Sequence, residues 1–112
     1  MRILFTAKGS SWDSLMDPRF GRMDFLVLYD EEKDQLTSMS NEEIDLIGHG
    51  AGLQTTKKVL ELNPNVVITG DRPGRKALEV LDMSDVVIYI GAGDMSIREA
   101  YEAFKAEKLE KY

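Results

Sequence analysis

Two short runs of β-branched residues in the second half of the chain constrain its fold more than any other feature. Residues 66–69 and 86–90 are almost wholly apolar, and each run ends at a glycine. Strands that are apolar throughout are typical of sheets that helices cover on both faces. A helical segment separates the two runs, so the sequence predicts a β-α-β unit whose strands lie parallel in a right-handed crossover.

The first part of the chain adds three further predicted strands. Residues 3–7 and 25–29 are apolar runs, and residues 35–40 form a weaker, more polar run that suits the edge of a sheet. The polar cluster at 30–34 has about the length of a hairpin turn. A hairpin reverses the chain, so the second strand opposes the first and the third. We therefore predict an α/β fold with a mixed five-stranded sheet in the order 3-2-1-4-5.

Three segments have helical patterns, at residues 53–62, 73–81 and 97–104. The third is the clearest, because Ser96 and Glu99 have the spacing of a capping box at its start. Residues 105–112 are highly charged and are expected to fray. The Gly, Ser, Asp and Pro content of residues 10–23 predicts a mobile loop.

Composition excludes several classes of protein. The 112 residues suit a single domain spanning residues 1–112, and the net charge of −6 argues against sequence-independent binding to nucleic acid. The absence of cysteine excludes disulfides, thiolate metal sites and a cysteine nucleophile. No apolar run is long enough to span a bilayer, so we expect a cytoplasmic protein that does not contact membranes.

The predicted strand directions bring four distant loops to one edge of the sheet. The loops at 8–23, 41–52, 70–74 and 91–95 all leave from the carboxyl ends of parallel strands, where α/β sheets bind ligands. They contain glycines before helix starts, whose free N–H groups attract anions, together with several arginines. We predict an anion-accepting groove that involves Arg19, Arg22, Gly50, Gly52, Gly70, Arg72, Gly74 and Gly91. The alternative is that these residues only form tight turns and surface ion pairs.

His49 is the single histidine, and it lies between two glycines at the same edge. Imidazole is a suitable ligand for iron, so His49 is the candidate metal ligand of the chain. A solvent-exposed or capping histidine is the alternative.

Common catalytic motifs do not fit. Residues 70–76 lack the spacing and the hydroxyl residue of a P-loop, and residues 48–52 do not follow a dinucleotide-type strand. No serine has the surroundings of a nucleophile elbow, and paired carboxylates occur only in turns. The sequence therefore favours a binding protein over an enzyme.

One block of sequence resembles a known family. Residues 17–22 read Asp-Pro-Arg-Phe-Gly-Arg, and this block is similar to a signature of the dinitrogenase iron–molybdenum cofactor biosynthesis family, which includes NifX-type carriers and the C-terminal domain of NifB-type proteins. The glycines of 50–52, the strand at 66–70 and the strand end at 89–91 agree with that pattern. The resemblance extends over essentially the whole chain.

This resemblance implies a ribonuclease-H-like, three-layer fold and a non-catalytic carrier. The implied cargo is an anionic iron–sulfur-type cluster, such as the iron–molybdenum cofactor or its precursor, that is bound transiently and passes between donor and acceptor proteins. The expected site comprises the charges of Arg19, Arg22 and Arg72, the glycine amides and, as the only strong metal ligand, His49. Phe20 and Gly21 complete the signature loop, with Phe20 expected to anchor it.

Two other functions stay open at this stage. A regulatory or scaffold domain could use the same glycine-rich edge to bind a phosphate-bearing small molecule or a protein partner. A metal-dependent phosphodiester hydrolase is the third hypothesis, although the sequence shows no carboxylate cluster positioned to bind two metal ions.

Overall fold

The computed structural model describes residues 1–41 and 51–112, which form a mixed sheet with helices on both faces. The strands are β1 (Arg2–Ala7), β2 (Phe25–Asp30), β3 (Gln35–Ser40), β4 (Val66–Ile68), β5 (Val87–Ile90) and β6 (Glu110–Lys111). The described helices are α1 (Ala51–Leu62), α2 (Arg75–Asp82) and α3 (Ile97–Lys105). Each predicted element is present, and its ends differ from the prediction by at most two residues.

The sheet has the order β3-β2-β1-β4-β5-β6. β2 lies antiparallel to β1 and β3, whereas β4 and β5 extend the sheet parallel to β1. The long loop after Ala7 reverses the chain between β1 and β2, the short turn after Asp30 reverses it between β2 and β3, and the helical crossovers allow the parallel pairs. The predicted fold class, the order of the first five strands and all their directions are confirmed.

The expectation that the C-terminal residues would fray is wrong, and the sheet has a sixth strand. Glu110 and Lys111 pair antiparallel with Ile90 and Tyr89 of β5. The backbone N–H of Tyr112 continues this pairing by donating to the Ile88 carbonyl at 2.8 Å. A strand of two charged, exposed residues has no alternating pattern, so hydropathy could not indicate it.

Alternation along the strands divides the core into two layers. Ile3 and Phe5 of β1 pack with Ile97 of α3 on one face. Leu4 points to the other face and packs with Val59 of α1 and Leu81 of α2. All these side chains are buried, and burial of each contributes roughly 1.5–3 kcal/mol to folding.

The described helices are short, from 8 residues in α2 to 12 in α1. The predicted capping box of α3 is present: the Ser96 hydroxyl accepts from the Glu99 N–H at 3.1 Å, and the Glu99 carboxylate accepts from the Ser96 N–H at 3.0 Å. Within the described ranges, we find no helix with the length and apolar character needed to cross a bilayer.

The loop between β1 and β2 is held more firmly than its composition suggests. The N–H of Met16 donates to the Met95 carbonyl at 2.8 Å, and the N–H of Ile97 donates to the Ser14 carbonyl at 2.9 Å. The N–H of Asp17 donates to the Thr6 carbonyl at 2.9 Å. These bonds fix residues 14–17 between β1 and the start of α3, so the expected mobility does not apply to this part of the loop.

Candidate functional site

An open groove lies at the carboxyl edge of the parallel strands. Its volume is about 430 Å³, and its lining comprises Arg19, Phe20, Gly21, Arg22, Gly52, Asp71, Arg72 and Gly74. Seven of these residues belong to the site that the sequence predicts, and Asp71 is the addition. The predicted Gly70 and Gly91 do not line the groove. His49 and Gly50 lie outside the described residues.

The two segments that form the groove walls touch each other directly behind it. The N–H of Asp71 donates to the Pro18 carbonyl at 2.7 Å, which joins the β1–β2 loop to the loop after β4. A Cβ atom on Gly70 would lie 2.6 Å from the Cα of Pro18 and 2.8 Å from the Cα of Gly93. Only glycine permits three backbones to approach so closely, so Gly70 shapes the site from behind.

Gly91 is bonded to the backbone of Gly70. Its N–H donates to the Gly70 carbonyl at 2.9 Å, and its φ angle is +96°. That backbone conformation strains residues with a Cβ atom, so the turn after β5 requires glycine for its shape. Gly91 is exposed but does not line the groove, so its contribution is to shape the turn that bonds to Gly70.

Arg19 lines the groove but is strongly engaged with Asp17. Its Nε and one terminal nitrogen donate to the two Asp17 carboxylate oxygens at 3.0 Å and 2.9 Å. The backbone N–H of Arg19 adds a third bond to the same carboxylate at 3.0 Å. Arg19 also lies 3.9 Å from a carboxylate oxygen of Asp24. Its charge is therefore largely balanced within the protein.

The Asp17 carboxylate is fully buried and ionised. Burial alone would raise the pKa of this carboxyl, but hydrogen bonds from the Arg19 side chain and backbone, and the Arg19 charge, outweigh it. The result is a pKa below the usual value of 3.8. Asp17 therefore orients the Arg19 guanidinium along the groove wall by a two-point contact that fixes its plane.

Arg22 and Arg72 supply the remaining positive charge of the lining. They come from different loops, because Arg22 belongs to the β1–β2 loop and Arg72 to the loop after β4. The Arg72 guanidinium lies over the Tyr112 ring, 5.2 Å from its centre. Among the described lining residues, Asp71 is the acidic one, so positive charge predominates in this part of the lining.

The start of α2 faces the same groove. Gly74 is its N-cap residue and has no side chain to satisfy the free N–H groups of the first turn. No acidic side chain occupies that first turn either. These N–H groups, with the positive end of the helix dipole, favour an anion in the groove.

Buried polar side chains that the sequence analysis did not single out hold the signature loop in place. The Thr55 hydroxyl of α1 donates to the Gly21 carbonyl at 2.8 Å, and the Asn41 amide donates to the Met23 carbonyl at 3.1 Å. The Thr6 hydroxyl donates to the Asp17 carbonyl at 2.7 Å. A threonine inside an apolar strand such as β1 is the sequence signal that could have pointed to this role.

The described lining is suited to holding an anion by charge and N–H donors. Among residues 1–41 and 51–112, no three His, Cys, Asp or Glu side chains are close enough together to hold a metal ion. Arginine side chains and backbone amides instead provide donors for several acceptor atoms of one ligand. The site therefore defines an α/β domain with a basic, glycine-lined groove at the carboxyl edge of its sheet.

Comparison with known proteins gives this domain a family. Residues 1–107 match the family described as dinitrogenase iron–molybdenum cofactor, and the chain belongs to that family. The family connects the chain to the binding or biosynthesis of this cofactor. Proteins of curated function give no match.

Three solved structures share the fold. The apo form of the orange protein from Desulfovibrio gigas is 27% identical, with a TM-score of 0.92, and the match covers 99% of this chain and 92% of that one. A NifB-like protein from Thermotoga is 24% identical, with a TM-score of 0.83 and coverage of 98% and 91%. A dinitrogenase-like protein from Methanocaldococcus jannaschii is 12% identical, with a TM-score of 0.66 and coverage of 100% and 94%.

Proposed function

We propose that this chain is a non-enzymatic carrier that holds an anionic iron–sulfur-type cluster in the groove. The iron–molybdenum cofactor or a precursor is the cargo that its family favours. The similar orange protein was solved in an apo form, the form that lacks its ligand. Donor and acceptor proteins would load and unload the cargo in the cytoplasm.

The observation that carries this proposal is the convergence of three arginines on one groove. Arg19 and Arg22 reach it from the β1–β2 loop, and Arg72 reaches it from the loop after β4. Sulfide-rich metal clusters carry negative charge and expose many acceptor atoms. Guanidinium groups and backbone N–H donors match both properties.

Transient holding follows from the same residues. The chain has no cysteine, and thiolate is the usual permanent ligand of such clusters. The groove opens to solvent, so a cluster could enter and leave without a large rearrangement. His49 is the proposed metal ligand, and a single imidazole would hold cargo loosely enough to release it.

An anaerobic titration with isolated iron–molybdenum cofactor tests the proposal. We expect the visible absorbance of the cofactor to change as protein is added, and metal to elute with the protein from a column equilibrated with the cofactor. The paired substitution Arg22→Gln and Arg72→Gln should weaken retention by about tenfold, or ~1.4 kcal/mol. Arg98→Gln is the matched control, because Arg98 lies on α3 beside Trp12.

His49→Ala separates coordination from charge in this titration. It should weaken retention and change the absorbance envelope, whereas Arg22→Gln should weaken retention without changing the envelope. Equal retention by the wild-type protein and the paired arginine variant would contradict the proposal.

A phosphate-bearing small molecule is the second candidate, because the uncapped start of α2 also suits phosphate. Phosphate or a nucleotide would then shift the amide resonances of Gly74 and Arg75 at physiological concentrations. This response should persist in His49→Ala and disappear in Arg72→Gln. For a cluster carrier, we expect phosphate to bind at least tenfold more weakly than the cluster.

A further inference from the structure

The outer edge of β3 has the properties of an open strand-pairing site. β3 is the terminal strand of the sheet, and all its residues from Gln35 to Ser40 pair with β2 without a bulge. Its residues are mostly exposed, and the strand contains no proline, no glycine and no charge. Natural edge strands are commonly protected by these very features. Among residues 1–41 and 51–112, no other strand pairs with the outer side of β3, so the backbone of Leu36 and Ser38 offers a regular edge for pairing.

The hydrogen-bonding pattern between β2 and β3 shows which backbone N–H and C=O groups of β3 face away from the sheet. The N–H of Asn41 donates to the Asp24 carbonyl at 2.8 Å. In an antiparallel pair, bonded and non-bonded positions alternate, so Met39, Thr37 and Gln35 also direct their backbone groups toward β2. The N–H and C=O groups of Leu36 and Ser38 consequently point away from the sheet.

Charge around this edge selects the kind of partner. The hairpin from 24 to 41 carries five acidic residues and a single lysine. Asp24, which is about half exposed and lies 3.9 Å from Arg19, is at one end of the edge. Glu32 and Asp34 lie in the turn at the other end and form the stronger acidic group. Two copies of the chain paired antiparallel through β3 would bring Asp24 of one copy toward the acidic turn of the other, which is repulsive.

We propose that the outer edge of β3 accepts an extended segment of a partner protein that carries lysine or arginine at both ends. The segment would add a strand to the sheet by bonding to the backbone of Leu36 and Ser38. Basic residues at its ends would face the acids of the hairpin. This surface is separate from the groove, and its occupancy does not depend on any cargo.

Amide exchange measured by NMR with a synthetic peptide tests the pairing directly. The probe is a short acetylated peptide of alternating threonine and valine with two lysines at each end. Without peptide, the amides of Leu36 and Ser38 should exchange fast, and those of Thr37 and Met39 slowly. Added peptide should slow exchange at Leu36 and Ser38 by about tenfold or more. A peptide with glutamate in place of lysine should bind about tenfold more weakly.

Substitutions at the edge provide the matched controls. Ser38→Pro removes the central outward N–H but no bond to β2, so it should abolish peptide binding, while Ser38→Ala should retain it. Glu32→Lys leaves the strand intact and should weaken binding of the basic peptide about fivefold. Melting curves and slow exchange of the Thr37 amide show whether each variant is folded.

Three results would overturn the proposal. The first is fast exchange at Leu36 and Ser38 at saturating peptide concentration. The second is slow exchange at both positions in the dilute protein alone, which would show that the chain covers its own edge. The third is protection that rises with protein concentration, together with a dimer in sedimentation, which would identify a second copy as the occupant.

Discussion

The two ends of the parallel strands carry cavities of similar size and opposite chemistry. The groove at the carboxyl edge has about 430 Å³, and the cavity at the amino edge has about 380 Å³. The amino-edge lining contains Asn63, Asn65 and Asp85, and none of the described residues that line it is basic. Cavity volume therefore does not distinguish a binding site from a cavity between connecting loops. The convergence of positive charge and free N–H groups does distinguish them.

The largest expected effect concerns the backbone crossing behind the groove. Gly70→Ala should destabilise the protein by about 3 kcal/mol or more, because the new Cβ would collide with the backbones of Pro18 and Gly93. Denaturant unfolding measures the change. Gly74→Ala is the control, since a Cβ there meets nothing within 4 Å, and its cost should stay below about 1 kcal/mol. An equal loss in the free energy of unfolding for both variants would show that the close backbone approach at Gly70 does not require glycine.

The next effect concerns the buried ion pair. Asp17→Asn should cost about 2 kcal/mol at neutral pH, because it removes the charge that accepts three bonds from Arg19. Folding lowers the pKa of Asp17 from its usual value of 3.8, so ionised Asp17 stabilises the folded state at pH values above 3.8. This contribution is lost as the pH falls through the lowered pKa of the folded state.

Unfolding of wild-type protein and Asp17→Asn at a series of pH values measures this contribution. The stability difference between the two proteins should shrink as the pH falls from about 5 toward 2. A difference that stays constant over this range would contradict an ionised Asp17 in the fold. Asp85→Ala, at the amino edge, should change stability by less than about 0.5 kcal/mol at every pH.

A smaller effect on cluster affinity distinguishes the carboxyl edge of the sheet from the amino edge. In the anaerobic titration, Arg72→Gln alone should weaken cluster retention by about fivefold, or ~1 kcal/mol. The unfolding midpoint should remain that of the wild-type protein, because Arg72 is exposed. Asp85→Lys, which adds positive charge at the amino edge, should not restore retention to this variant. Restoration would mean that overall charge, not the groove, holds the cargo.

The smallest effect concerns Tyr112, whose ring lies beneath Arg72. Tyr112→Ala should change cluster affinity by about twofold, since an exposed cation–π contact is worth roughly 0.5 kcal/mol. An increase would mean that the tyrosine competes with cargo for Arg72, and a decrease would mean that it positions the arginine. Tyr112→Phe retains the ring and should match the wild type in the same titration.

Strand directions explain why so much of the site followed from the sequence. The hairpin and the two crossovers fix which loops leave from the same edge, so residues 17–22 and 70–74 had to meet there. The contact between Pro18 and Asp71 confirms this expectation. Glycine and arginine in those loops then indicated the groove without any knowledge of side-chain positions.

The sequence did not predict features that depend on which residue a given side chain contacts. The sequence predicts that Arg19 supplies charge to the groove, with a surface ion pair as the alternative. In the structure, Asp17 of the same loop binds it, and spacing alone could not show which partner an arginine selects. Asn41 and Thr55 were missed because a buried hydrogen bond leaves no periodic signal. β6 was missed because its two residues carry charge and bury little.

The single tryptophan belongs to the loop that also forms the groove, yet it lies on the opposite face of the sheet. Trp12 packs edge-on against Tyr29 at 4.9 Å and lies 5.6 Å from Tyr101. The β1–β2 loop thus connects Trp12, an intrinsic fluorophore on the α3 side of the sheet, to Arg19 and Arg22 at the groove. Emission from Trp12 would therefore report whether events at the arginines are transmitted across the sheet, without any added label.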